Sequence, residues 1–572
     1  MKRKTIMILI AAFVVIAVVL LAGCSKNQNP TTVVIKETVI VIASNTALPD
    51  TSFSPTVTQT MTITETATLA VPSATVTATC TETNTPAPPA NAYWSGPGVW
   101  TCNSGYLDFN GISADGCEVY NDPDAIYVSA AGSDLASNGS IYSPVARISY
   151  ALSRAVVTGK TKIFVMQGVY FDKFSLENGI SIKGGFNENW SHTGQRSTYI
   201  YTSVETAGRM ISVSASGISS ATTIEYLTIQ TAGVYTDGGS NYGIYVYNSP
   251  GLVVQNCDIY AGAGAAGAQG AAGVNGAAAV NGLNGGDGST TSTTAGAGGA
   301  GGNLSASNFD STYTNISGGA GGAGGRVVAS STVNANGNNG TSVGAAAGGT
   351  GGPYYSTCGS YGISTAGYPG INGINGNNGA AGLNSISVTS YFNSSDGANG
   401  IRGGHGTGGA GGGGGSASCA SSYPNNSGAG GGGGGSGGPA GQGGTGGKGG
   451  GGSFGLFIVS SNITVNNCNI YSAGGGAGGA GGPGGMGSFG GLFGESGKIA
   501  SNPLASAGGI GGKGGNGGCG GGGAGGPSIA LYYKSSTLTL NGTTCTQGTG
   551  GAGGTSAGNA GQAGQSLSTL SQ

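Results

Sequence analysis

From Gly264 to Gly288 the sequence GAAGAQGAAGVNGAAAVNGLNGGDG places glycine at every third position, with one miss at Ala279. The period returns at Gly367, Gly370, Gly373, Gly376, Gly379 and Gly382, and as two glycines per triplet in GGIGGKGGNGGCGG, Gly508–Gly521. Only 21 of the 125 glycines precede Tyr260, so the bias belongs to three stretches: 261–452, 473–527 and the tail from 548. Collagen has this period but relies on proline-type residues at the other positions to preset its backbone, and these runs are nearly proline-free. Free disorder is favoured by the entropy that glycine loses on ordering, yet it gives no reason for a strict period. The third option is polyglycine II, with three residues per turn. Recurrent glycine then makes one face bare, so that neighbouring chains bond backbone to backbone while Ala, Asn, Ser and Val point away. The regular runs favour such packing, as sheets or bundles, over flexible loops. The GGGGGSGG sequence is expected to be the loosest part.

Between the glycine-rich stretches one unit recurs. YGIYVYNSPGLVVQNCDIYAGAG from Tyr242, FGLFIVSSNITVNNCNIYSAGGG from Phe454 and SIALYYKSSTLTLNGTTCTQGTG from Ser528 each contain a short strand, a polar turn and a second alternating strand. The first strands carry Ile244/Val246, Leu456/Ile458 and Ala530/Tyr532, and the second Leu252/Val254, Ile463/Val465 and Leu538/Leu540. Short alternating strands between Asn, Ser and Gly turns suit the coils of a parallel β-helix. A unit that cannot bury its own face must stack on its copies. Earlier coils are expected at Met210–Ser216 and Thr223–Gln230, and the glycine-rich stretches become excursions from one coil to the next. Cys257 and Cys468 occupy the same place in two repeats, where a pair of buried thiols is favoured over a bridge.

The chain opens MKRKTIMILIAAFVVIAVVLLAGCSK: a basic start, an apolar stretch Ile6–Leu21, then Leu-Ala-Gly-Cys. This is the pattern of a secretory signal. Residues 25–92 are rich in Thr, Ala, Val and Pro and nearly free of charge and glycine. That composition predicts an extended stalk, reaching on the order of 200 Å at ~3.1 Å per residue. The 19 basic and 21 acidic residues give a net charge of −2, and no basic patch exists to meet nucleic acid. Ten cysteines in an exported chain permit disulfides. Ser143 and Pro144 predict a helix start, with Ile148, Leu152 and Ala155 on one face, followed by a buried strand at Ile163–Met166.

Three resemblances extend this reading. Leu21-Ala22-Gly23-Cys24 resembles the bacterial lipobox, which implies a signal peptide over 1–23 and lipid on Cys24. A lipid-anchored protein of the cell envelope follows, outside the cytoplasmic membrane, at the outer membrane or cell surface. The segment WTCNSGYLDFNGISADGCEVY resembles a small cysteine module of bacterial surface proteins. It implies a unit at 93–121 with a Cys102–Cys117 disulfide, although Phe109 stands where the module has a further cysteine. Asp108, Asn110 and Asp115 there read as turn formers rather than calcium ligands. The run from Ile126 to Tyr170 resembles the entry segment of pectate-lyase-like proteins. That resemblance implies an all-β fold over 122–572: a right-handed parallel β-helix with an N-terminal capping helix.

Chemistry is sparsely signalled. GxGxxG matches are inevitable in so much glycine, TGKT at Thr158–Thr161 lacks the first glycine of a phosphate loop, and His192 and His405 are the only histidines. No metal or cofactor is expected. The β-helix polygalacturonases carry N-x-D, D-D, G-H-G and R-x-K motifs, with aspartates as acid and base. Asn256-Cys257-Asp258 and Gly404-His405-Gly406 match two, but Asp-Asp and Arg-x-Lys are absent from the sequence. The favoured function is therefore a non-enzymatic surface lipoprotein, structural or adhesive, with a polysaccharide as its candidate partner. Tyr235, Tyr242, Tyr245 and Tyr247 are candidate sugar-stacking residues. The competing readings are a polysaccharide lyase or glycoside hydrolase, and an ice-binding protein of the polyglycine type.

Overall fold

The computed structural model describes residues 87–96, 99–304, 316–328, 335–355, 362–386, 390–417, 425–499 and 504–572, together with the strands Val33–Ile40, Thr58–Ala67 and Thr81–Thr85. Two compact units divide the chain, Met1–Asn121 and Asp122–Gln572. In the first, the three strands pair antiparallel where the composition suggests an unpaired stalk. Cys102 and Cys117 are joined in a disulfide. Asp108 and Asn110 accept the amides of Gly111 and Ile112, and Asn110 also holds Asp115. Cys24 and the apolar segment Ile6–Leu21 lie outside the described residues. Among the described residues no helix is long and apolar enough to cross a membrane.

The second unit is mostly β, with three long all-parallel sheets. The first sheet stacks Ala125–Val128, Lys162–Met166, Ser181–Phe186, Thr222–Glu225, Leu252–Gln255, Ile463–Asn466 and Leu538–Asn541 in chain order. The second stacks Gly168–Tyr170, Thr198–Thr202, Leu227–Thr231, Asp258–Ala261, Asn469–Ser472 and Thr544–Thr546. The third stacks Phe174–Ser175, Arg209–Ser216, Ser240–Tyr247, Ser453–Val459, Ser528–Lys534 and Ser566–Ser571. The chain visits the sheets in the same order on every circuit, as in a parallel β-helix. Alternation sends one set of side chains inward, and in-register stacking aligns them: Ile182, Ile224, Val254, Val465 and Leu540 in the first sheet, and Ile200, Ile229, Ile259, Ile470 and Cys545 in the second. The corner from the first sheet to the second takes positive φ at Tyr226, Asn256, Asn467 and Gly542, and Asn and Gly bear that conformation best. Cys257 and Cys468 are free and buried in the core. The strand Ser566–Ser571 closes a circuit within what reads as a glycine-rich tail.

The helix Ile148–Thr158 buries Ile148, Ala151, Leu152 and Ala155 against this core. Its start differs from the sequence expectation. Ser143 and Pro144 precede it by a turn and do not cap it. Instead Asp134 accepts the amides of Ala146 and Arg147, and Asp172 accepts that of Ser149. Both carboxylates come from loops that sequence spacing does not relate to the helix. Burial pushes the Asp134 carboxyl up, but Arg147 and the two amides outweigh it and hold the group below its ordinary value. A depressed carboxyl contributes stability above its unfolded pKa and loses it as pH falls through the folded one. The first turn is therefore expected to keep its amide-exchange protection at neutral pH. Protection should fall selectively in acid for the amides of Ala146 and Arg147. Equal protection at neutral and strongly acidic pH would contradict this capping.

All long excursions leave at one corner, between the second and third sheets: residues 262–452, 473–527 and 547–565. Within them hydrogen bonds recur every third residue. The amides of Gly264, Gly267, Gly270, Gly273 and Gly276 donate to Gly474, Ala477, Ala480, Pro483 and Met486, at 2.8–3.0 Å. The rung at Ala279, where the glycine period fails, is not made. Of run 428–451, residues 428–441 lie inside, whereas Gln442, Thr445 and Lys448 reach the surface. The amides of Gly431, Gly432 and Gly433 donate to Gly322, Ser506 and Leu283, and their carbonyls accept from Gly299, Gly412 and Gly494. One triplet thus meets six neighbouring runs. The GGGGGSGG sequence, expected to be loosest, is buried throughout: glycine in successive positions bares every face of the run, so every face can be covered. Runs with one glycine per triplet sit at the edge, where the other two residues are exposed, as Val274 and Asn275 are.

Candidate binding face

The outward side chains of the second sheet form two columns. One runs Tyr201, Gln230, Tyr260, Tyr471 and Thr546, the other Val169, Tyr199, Thr228, Asp258, Asn469 and Thr544. In-register stacking puts like on like: the Tyr260 and Tyr471 rings lie 4.7 Å apart and 3° from parallel. Phe171 packs edge-on against Tyr201 at 5.9 Å and is 76% exposed. Tyr199 is also exposed. Burial pushes the Tyr260 phenol up and the nearby Asp258 charge adds to it, so the ring stays a neutral donor.

Beside the rings runs a polar ladder. Arg196 pairs with Asp258, and its second nitrogen donates to the Asn467 carbonyl at 2.6 Å. Asn469 donates to Asp258 at 2.7 Å, and Thr544 donates to Asn469 at 2.8 Å. These bonds link successive coils across the face. Aromatic rings next to fixed amide, hydroxyl and guanidinium groups offer apolar contact and hydrogen bonding together, as a sugar requires. Asp258 is thereby committed to Arg196 and Asn469. His405 is buried in the run 397–415, where its Nδ1 accepts the Ala440 amide and Nε2 meets Arg402 at 2.8 Å. The two motif fragments that resembled a hydrolase are not brought together.

The candidate tyrosines occupy other places. Tyr242 and Tyr245 are buried and cannot stack on a sugar. They point outward from the third sheet, but that face is covered by Ile386, Tyr391 and Phe392 of the long excursion. Tyr235 and Tyr247 are exposed, without a stacked ring partner among the described residues. The tyrosines of the second sheet were recoverable from the repeats, since CDIYA and CNIYS place Tyr260 and Tyr471 at equivalent positions.

Also unread in the sequence is a row of side-chain acceptors along the edge runs. Asn275, Asn281, Asn284 and Asp287 accept the amides of Met486, Leu492, Glu495 and Lys498 at 2.8–2.9 Å. Asn372, Asn375 and Asn378 do the same for Lys513, Asn516 and Cys519. The outward amides of a run at the bundle surface have no neighbouring backbone, and Asn in the motif V-N-G, L-N-G or I-N-G supplies the acceptor. Comparisons with protein-family models, with curated proteins and with solved structures find no match to this chain.

Proposed function

We propose that this chain is a non-enzymatic, lipid-anchored surface protein that binds glycan through the outer face of its second sheet. The Tyr260–Tyr471 stack beside the Arg196–Asp258–Asn469 ladder carries the reading. The scaffold is a right-handed β-helix closed at its N-terminal end by the helix Ile148–Thr158, and its excursions form a polyglycine II bundle. The period-three bonding and the buried apolar stripe of the helix support those assignments. Lipid on Cys24 and the segment 24–92 tether the protein to the envelope, and residues 93–121 form a separate disulfide-bonded module.

The test is affinity electrophoresis of the full chain through gels containing neutral polysaccharides, with released sugar measured in parallel. Retardation without product is expected. Tyr260→Ala with Tyr471→Ala should weaken retention roughly tenfold, because stacked rings contribute about 0.5–1.5 kcal/mol beyond their area. Tyr235→Ala should leave it unchanged. Product release would favour the lyase or hydrolase reading. Unretarded migration in every gel would remove the glycan-binding one.

A further inference from the structure

A hollow of about 380 Å³ opens at the corner between the first coils and the long excursion, and two cations line it. The Arg209 guanidinium lies over the Tyr391 ring, 4.2 Å from its centroid. The other stacking partner of Tyr391 is the buried Tyr245, 4.5 Å away. A guanidinium restrained over an aromatic face retains N–H groups for a ligand at a low entropic cost of ordering. Lys173 is held by Thr206, at 2.6 Å, and the Val204 carbonyl. Ile211 supplies apolar wall and Ser214 a hydroxyl, while Phe174 packs behind them in the core.

Neither cation is neutralised. The ion pairs among the described residues involve Arg147, Lys162, Lys183, Arg196 and Lys448. The nearby carboxylates bond backbone amides instead of these cations: Asp172 accepts from Lys173 and Ser149, and Glu205 Oε2 from Tyr235 and Thr236, with Glu205 Oε1 buried and unpartnered. Asp237 lines an adjoining hollow with Arg209 but makes no ion pair with it. The charged groups that line the hollow itself are the two cations, without an ion-pair partner, while the three carboxylates stand beside it and not in its lining.

We propose that this hollow binds an oxyanion carried on a sugar unit, a carboxylate or a sulfate, between Lys173 and Arg209, with the sugar ring against Ile211. The inference rests on the glycan-binding reading and adds the acidic class of ligand. Tyr391, and Tyr245 behind it, are positioning residues for Arg209.

The full chain would be titrated calorimetrically at physiological salt with a hyaluronan octasaccharide, a chondroitin sulfate octasaccharide, the carboxyl-reduced form of each, and free glucuronate. An acidic octasaccharide should bind more tightly than reduced hyaluronan. Loss of binding on carboxyl reduction of both octasaccharides would assign carboxylate, and chondroitin sulfate binding that survives its own carboxyl reduction would assign sulfate. Glucuronate binding as tightly as the octasaccharides would overturn the polymer as the source. Arg209→Gln and Lys173→Gln should each lose roughly 10- to 100-fold for the acidic probe and nothing for reduced hyaluronan, as expected for a charge-assisted hydrogen bond. Tyr391→Phe should bind like the parent and Tyr391→Ala should lose affinity, with circular dichroism confirming the fold of each. Equal affinity for both acidic octasaccharides and reduced hyaluronan, or variants that bind like the parent, would overturn the inference. Retention by neutral polysaccharide through Tyr260 and Tyr471 would still leave the broader reading standing, whereas absence of any binding removes both.

Discussion

Gly432→Ala and Gly435→Ala are each expected to destabilise the second unit by about 3 kcal/mol or more, the upper range for overpacking a close-fitted interior. A Cβ on Gly432 would lie 1.8 Å from the Gly494 carbonyl oxygen, and one on Gly435 would lie 1.9 Å from that of Gly491. Both obstacles are backbone, so no side chain can rotate away. Relief would require a whole run to shift, breaking the period-three bonds of run 474–497 with run 428–451. Alanine also stiffens the unfolded chain, which stabilises by about 0.4–1 kcal/mol, but the clash is larger and sets the sign. Ala272→Val, on an exposed edge position, should change stability by no more than about 0.5 kcal/mol. Calorimetric unfolding and amide exchange of Gly494 and Gly491 report the difference. Alanine at both glycines with unchanged melting and unchanged protection would contradict a run enclosed on all sides.

Much of this arrangement is legible in the glycine pattern, because triplet composition counts covered faces. G-x-x in 264–288 and 367–382 marks an edge with two exposed residues per turn, G-G-x in 442–448 and 508–516 a run with one exposed residue per turn, and the denser glycine of 428–438 and 520–526 the interior. The reading of GGGGGSGG as loose inverts this rule by treating glycine content as freedom instead of as access. The coils are legible for a similar reason: alternation of Leu252/Val254 and Ile463/Val465 is a local signal, and both pairs stack in the first sheet. The helix cap was not legible. Asp134 and Asp172 reach the first turn only once the chain has folded, whereas Ser143-Pro144 is a local pattern that the fold does not use. The burial of Tyr242 and Tyr245 was likewise not legible. Local alternation tells outward from inward, but not whether the outward face is covered by a segment more than a hundred residues away.

That covering segment makes the second large effect predictable. Phe454→Ala is expected to cost about 3–5 kcal/mol, the usual range for truncating a fully buried aromatic. Phe454 stacks on Tyr242 at 5.3 Å, meets Phe457 edge-on at 5.0 Å and touches Phe392 of the excursion at 5.6 Å. It therefore belongs to an aromatic layer between the third sheet and Ile386, Tyr391 and Phe392. Tyr242 ties the same layers with a hydrogen bond, its hydroxyl accepting the Phe392 amide at 3.0 Å. Tyr242→Phe keeps the ring but strands that buried amide, an expected loss of about 1–3 kcal/mol. Tyr247→Ala, on a 40% exposed ring, should stay within about 0.5 kcal/mol. Denaturant unfolding gives the three magnitudes, and proteolysis near residue 390 shows whether the excursion detaches before the coils melt. If Phe454→Ala costs no more than Tyr247→Ala, the aromatic layer does not join the excursion to the coils. If the excursion detaches first, the tyrosines suspected of holding a ligand are what keep the glycine bundle in place.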